Sequence, residues 1–163
     1  MFGKAFRNAD VFEYSNVFLS KVGEWNTVAT NFTLDCNNNK VTGSDDFYAI
    51  YSDKDYTTIK HCEVVTEYND GILIEGSNEN LIYNIILHGN DVALILENSD
   101  NNSIGLITAY ENDQAIYVDS SDNNIFSNIL AYNNTLAFNY HASIIDVNEL
   151  EAYENDYGIL LGT

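Results

Sequence analysis

The chain has 163 residues, enough for one domain, with 45% hydrophobic residues and no proline. Its 25 acidic and 6 basic residues give a formal charge of −19, so its surface repels nucleic-acid phosphates and anionic lipids and favours cations, neutral glycans or a high-salt milieu. No apolar run reaches the length of a membrane span, and neither nucleic-acid binding nor membrane insertion is expected.

The charge is unevenly placed. Lys4, Arg7, Lys21, Lys40, Lys54 and Lys60 all lie in the first sixty positions, and no Lys or Arg comes after His61. Residues 1–30 are apolar and aromatic (Phe2, Phe6, Val11, Phe12, Tyr14, Val17, Phe18, Leu19) and do not share the periodicity of the rest of the chain. They read as an N-terminal cap on a solenoid, with the remnant of a preceding coil as the alternative. They hold no continuous apolar segment of the signal-peptide kind.

Residues 31–56 read as a first coil. Asn31 to Cys36 alternates like a strand, Asn37-Asn38-Asn39 is a turn, Lys40 to Gly43 is a second short strand and Phe47 to Tyr51 a third. From there a period takes over. Small residues recur at Ala49, Gly71, Ala93, Ala115 and Ala137 in steps of 22, then at Gly158 after 21. Each opens an apolar run, and self-similarity at such a period signals a solenoid.

Stacking the coils in register gives three apolar columns. The first holds Ile82, Ile104 and Phe126. The second holds Ile85, Ile107 and Ile129, with Leu87, Ala109, Ala131 and Ala152 two residues on. The third holds Ile72, Leu94, Ile116, Phe138 and Ile159, with Ile74, Leu96, Val118, Tyr140 and Leu161 two residues on. A spacing of two is one face of a strand. Three short strands per coil of about 22 residues, in coils about 4.8 Å apart, describe an all-β, right-handed parallel β-helix over residues 31–163. Asn80, Asn102 and Asn124 form one column, and Asn90, Asn112, Asn134 and Asn155 another. Stacked asparagines can hydrogen-bond from rung to rung and tolerate the left-handed backbone of sharp corners. Ile82-x-x-Ile85-x-Leu87-x-x-Asn90 also fits the start of a leucine-rich repeat. The residues after Asn90, however, form a β run and an Asn/Ser/Asp turn, not a helix with spaced leucines. Gly158 to Thr163 stops inside a repeat. A chain truncated at its C-terminal end, cut from a longer exported or cell-surface protein, is therefore expected, and an open last coil invites end-to-end self-association.

Thr33-Leu34-Asp35-Cys36-Asn37, Val41-Thr42-Gly43 and Thr58-Ile59-Lys60-His61-Cys62, with the turns Ser99-Asp100-Asn101-Asn102-Ser103-Ile104 and Ser121-Asp122-Asn123-Asn124-Ile125, resemble NosD-type β-helix repeat proteins. The resemblance covers about residues 31–163. It implies a pectin-lyase-like fold of a kind that also occurs in carbohydrate-binding proteins, sugar hydrolases and large surface proteins. It further implies paired cysteines on neighbouring coils. Cys36 and Cys62 stand a little over one coil apart, which allows stacked thiols or a disulfide, and free or loosely paired thiols are the favoured reading.

What the resemblance implies for activity is poorly matched. A polysaccharide lyase would imply a Lys or Arg base, and the regular coils hold none. A polygalacturonase-type hydrolase would imply clustered aspartates with Gly-His-Gly and Arg-x-Lys elements. Only the Asp45-Asp46 pair is present. The family name suggests copper, but His61, His88, His141, Cys36, Cys62 and Met1 form no tight ligand cluster. The sequons at Asn31, Asn101 and Asn133 are chance matches expected of an Asn-rich chain.

Two surface features remain. Asp91 and Asp113 should be neighbours in adjacent coils, with Asn90 and Asn112 beside them. Together they would offer calcium oxygen ligands and relieve the like-charge pair. His88, Tyr110, Tyr132 and Tyr153 form an outward column whose rings can meet a sugar or one another. The expected function is a non-catalytic, structural or adhesive segment that binds a polysaccharide or surface glycan through this column. The alternative is the substrate-binding part of a carbohydrate-active enzyme whose catalytic residues lie elsewhere.

Overall fold

A computed structural model describes residues 31–43, 48–66 and 70–162. The cap assigned to residues 1–30 and the Asp45-Asp46 pair lie outside the described residues. Among those described, the strands are β1 (Thr33–Gly43), β2 (Ile50–Ser52), β3 (Thr58–Thr66), β4 (Asp70–Glu75), β5 (Leu81–His88), β6 (Val92–Glu97), β7 (Ser103–Tyr110), β8 (Gln114–Asp119), β9 (Asn124–Tyr132), β10 (Leu136–His141), β11 (Ile145–Tyr153) and β12 (Tyr157–Leu161). Odd-numbered strands form one six-stranded sheet in the order β1-β3-β5-β7-β9-β11, and even-numbered strands form a second in the order β2 to β12. Every pairing is parallel, and each coil adds one strand to each sheet. This is the parallel β-helix that the period predicts.

The coil differs from the expectation in one respect. The first and second apolar columns sit on a single long strand, not on two. Ile82 and Ile85 both reach the core although three residues separate them. A straight strand cannot do this, because side chains alternate faces. The backbone bends between them at a left-handed residue: His61 (φ 54°), Asn84 (54°), Leu106 (54°), Asn128 (56°) and Glu149 (63°), one per coil. Three core faces therefore arise from two strands.

The core is a line of stacked columns. Val64 and Leu87 stack on Ala109 and Ala131. Ile82 and Ile104 stack on Phe126, and Ile72, Leu94 and Ile116 on Phe138. Phe126 and Phe138, from different sheets, meet edge to face at 5.0 Å. Large residues in one coil are matched by alanines at other positions, which keeps the coil cross-section constant.

The corners are built from polar ladders. The backbone N–H of Asn80 donates to Asn102 Oδ1 (2.8 Å), and that of Asn102 to Asn124 Oδ1 (2.8 Å). The second ladder runs from Asn90 to Asn112 (3.0 Å), Asn134 (3.1 Å) and Asn155 (2.9 Å), with the side-chain amides joined in parallel. Serines form a third: the N–H groups of Ser77, Ser99 and Ser121 donate to the hydroxyls of Ser99, Ser121 and Ser143. The Ser-Asp-Asn-Asn turn is thereby explained residue by residue. Ser121 and Asn124 point inward into ladders, Asp100 Oδ1 accepts the N–H of Asp122 one coil on, and Asn123 takes the left-handed conformation at φ 56°.

The first coil is irregular. Asn37 and Asn38 are left-handed (φ 49° and 60°), and the pairing of β1 with β3 shifts register between Asp35 and Asn39. The expected three-asparagine turn is thus a bulge inside one strand. The bulge carries Cys36 over Cys62, with Cα atoms 4.9 Å apart, and the two form a disulfide. The expectation of free thiols is corrected here. One extra stretch of chain in β1 cancels the excess of a 26-residue separation over a regular coil, and the Cα spacing lies within disulfide reach.

Leu106 is 56% exposed and holds its left-handed backbone without a local hydrogen-bonding side chain of the kind its equivalents Asn84 and Asn128 have. Leu106→Asn should stabilise the fold by about 1 kcal/mol, because Asn tolerates this conformation and Leu does not. Urea unfolding of the two chains, compared at the midpoint, measures it.

Candidate functional site

The outward column of the first sheet is formed as the spacing predicts. His88, Tyr110 and Tyr132 are in register across β5, β7 and β9, and Tyr153 comes next on β11. Neighbouring ring centroids are 4.6, 5.1 and 5.2 Å apart, with planes within 9° of parallel. The rings lie face to face along the solenoid axis, so both faces of Tyr110 and Tyr132 and one face each of His88 and Tyr153 are occupied by neighbours. What reaches the solvent is a row of ring edges and phenol hydroxyls. Burial, then Tyr132 and Glu63, raise the pKa of Tyr110 above the usual phenol value, and burial, then Tyr132, does the same for Tyr153, so these two hydroxyls stay able to donate.

The row begins at an acid–base group. His88 Nε2 is 3.6 Å from Glu63 Oε1, and the same oxygen takes Lys40 Nζ at 3.1 Å. On the neighbouring column Asp35 receives Lys60 Nζ at 3.2 Å and lies 2.9 Å from His61 Nδ1, while the His61 ring meets Tyr83 edge-on at 5.5 Å. Burial opposes ionisation of Asp35, but the Asn37 backbone N–H, His61 and Lys60 outweigh it and hold its pKa below the ordinary carboxylate range. The repeat pattern does not disclose this cluster. It depends on the bulge in β1, which displaces Asp35 relative to the regular repeat.

The calcium donor set is not brought together. Asn90 and Asn112 are buried, and Asn112 Oδ1 already accepts both the backbone and side-chain N–H of Asn90. Asp91 and Asp113 are exposed on the other side of the chain. Adjacent residues in a corner point to opposite sides, and the ladder claims the asparagines. Among the described residues no group of three or more His, Cys, Asp or Glu side chains is arranged to hold a metal ion.

The second sheet carries an acidic row that is absent from the sequence-based expectations. Glu75, Glu97 and Asp119 stand in register on β4, β6 and β8. On the outer side of the same sheet Tyr51, Leu73, Ile95, Tyr117 and Asn139, from β2 to β10, form a second row, of which Leu73, Ile95 and Asn139 are buried. Tyr51 donates to Glu75 at 2.9 Å, and its pKa is pushed up to about 12, first by burial and then by that hydrogen bond. Burial, then the charges of Glu75 and Asp119, raise the pKa of Glu97. The positions 75, 97 and 119 keep the 22-residue step, so the same stacking that exposes the tyrosines could have found them.

The chain matches the family model described as a right-handed β-helix region over residues 25–163. It belongs to the right-handed β-helix family. No curated protein and no solved structure matches it. On this β-helix the tyrosine row and the acidic row lie on the outer faces of different sheets, so a ligand lying along one leaves the other free.

A carboxyl whose folded pKa is raised, as for Glu97, favours folding while protonated and loses that contribution as pH rises through its folded value. Glu97→Gln should therefore raise stability at neutral pH by roughly 0.5 kcal/mol, the scale of a like-charge cross-strand contact. It should also flatten the stability gained on acidifying from neutrality toward the carboxylate range. Thermal melts of the two chains across that interval measure it.

Proposed function

We propose that the protein is a non-catalytic β-helix rod of a secreted or cell-surface protein, structural or adhesive, that binds a neutral polysaccharide along the His88–Tyr110–Tyr132–Tyr153 row. The observation carrying this reading is the row itself: ring edges and hydroxyls repeated once per coil in one straight line. A polysaccharide is also a repeat of hydroxyl groups along an axis, and a rigid periodic surface meets it with little ordering cost. Because the ring faces stack on one another, contact is through the hydroxyls and ring edges and not through a flat sugar laid on a ring. The Cys36–Cys62 disulfide supports an oxidising compartment, and a charge of −19 keeps such a rod apart from anionic polymers. The resemblance to NosD-type repeats supports the same class of extracytoplasmic scaffold.

A second reading has one observation in its favour. Glu97, in register between Glu75 and Asp119 and with its pKa raised first by burial and then by their charges, stands in a group of carboxyls of the kind glycosidases draw on. In that reading the segment belongs to a carbohydrate-active enzyme and its acidic row contributes a carboxyl to the chemistry, instead of only binding substrate for catalytic residues elsewhere.

A polysaccharide panel, scored for both retention of the protein and release of new sugar ends, separates the two. The rod reading expects retention on a neutral glycan with no new ends. Tyr110→Phe should weaken it about fivefold by removing one hydroxyl hydrogen bond of about 1 kcal/mol, while melting stays unchanged. New sugar ends abolished by Glu97→Gln would replace the rod with the enzyme.

A further inference from the structure

The outer face of the first sheet carries another row beside the aromatic one. Ile86, Thr108 and Leu130 stand in register on β5, β7 and β9. Each lies two residues before His88, Tyr110 or Tyr132, so the two rows share one face of the sheet. Ile86 is 42% exposed, and Thr108 and Leu130 are half-buried. Glu63 and Glu151 stand in register at either end of this row.

The strip stands out from the rest of the molecule in its charge. In a chain of net charge −19, no position of the two rows on β5, β7 and β9 is a carboxylate, a lysine or an arginine. Glu111 borders the strip at the corner after Tyr110. Each coil therefore offers a hydrogen-bonding ring, and two residues away a group that is aliphatic at β5 and β9 and a threonine at β7.

On the polysaccharide reading above, which this step deepens and rests on, we propose that the strip takes an extended neutral β(1→4)-linked glycan with equatorial ring substituents, of the glucan or chitin type, laid along the solenoid axis. Such a sugar ring carries its hydroxyls around its edge and presents C–H groups on both faces. With its edge toward the phenol row and a face on Ile86, Thr108 and Leu130, it meets both rows at once. The glycan is a straight ribbon that turns over at each residue. Either edge brings hydroxyls and either face brings C–H groups, so every coil meets a sugar in an acceptable pose. The ring centroids repeat at 4.6, 5.1 and 5.2 Å, close to the advance per sugar in such a ribbon. An α(1→4)- or β(1→3)-linked glucan coils about its own axis and leaves a straight row. An acidic glycan is repelled by Glu63, Glu111 and Glu151.

Titration calorimetry of the 163-residue chain with cellohexaose, chitohexaose, maltohexaose and laminarihexaose tests this. Cellohexaose, chitohexaose or both should bind at least about tenfold more tightly than maltohexaose and laminarihexaose. The tetrasaccharide of the preferred type should bind at least about fivefold more tightly than its disaccharide, because the longer chain engages a further coil. Ile86→Ser should weaken binding at least about fivefold by removing an apolar contact, with the circular-dichroism melt retained. Leu130→Ser gives the same readout should Ile86→Ser loosen its coil. Equal binding of maltohexaose or laminarihexaose, binding that does not grow with length, or binding that ignores both substitutions would each overturn the extended-ribbon proposal and leave the adhesive rod standing. No binding of any of these sugars would overturn both.

Discussion

Everything in this molecule depends on how its corners satisfy their backbone N–H groups. A globular domain hides its turns at the surface, where water serves them. A solenoid coil turns several times in about 22 residues, and its corners are stacked against the corners before and after. Asn112 shows the solution. Its side-chain oxygen accepts from the backbone and side chain of Asn90, while its amide donates to Leu87 O, Tyr110 O and Asn134 Oδ1. One side chain closes its own corner, fixes the previous coil and leans on the next. Since a buried unpaired donor costs about 1–3 kcal/mol, a coil that slipped out of register would lose several such bonds together. The ladders therefore set the register that the apolar columns alone, being nearly uniform along the axis, would leave loose.

The same constraint explains the backbone. Each regular coil bends at left-handed residues in equivalent places, such as Asn101, Leu106, Glu111 and Ser120 in one coil and Asn123, Asn128, Asn133 and Ala142 in the next. Asparagine is frequent at these places because it adopts this conformation at low cost. Leu106, Glu111 and Ala142 show that stacking can impose it on residues that do not favour it. The first coil, with its bulge, is held differently: the Cys36–Cys62 disulfide and the contacts of Asp35 with Lys60 and His61 take the place of an inward asparagine ladder.

The architecture was legible because period and chemistry agree. Positions one period apart share a residue type, and a solenoid places them in contact, so columns such as Ile82, Ile104 and Phe126 or Asn90, Asn112 and Asn134 could be written down from the chain alone. What could not be read was orientation and irregularity. That Asn112 faces in while Asp113 faces out is a property of the corner's dihedrals, and it separates the imagined calcium ligands. That the tyrosine rings stack face to face is set by side-chain torsions that a column of letters does not contain. The disulfide hung on a bulge at Asn37-Asn38, which the sequence shows only as a turn. The Glu75, Glu97 and Asp119 row keeps the same 22-residue step and is equally legible, at the ends of the apolar runs that supply the third core column.

The central claim is that the corner asparagines, as much as the apolar columns, hold coil to coil. Native-state hydrogen exchange of the backbone amides of Asn80, Asn90, Asn102, Asn112 and Asn134 tests it most directly. If the ladders carry the register, these corner amides exchange only through the same large opening that exposes Leu94 and Ile116 in the strands. If instead they exchange at the rates of exposed turns while the strands stay protected, the corners are ornaments on an apolar stack and the account fails.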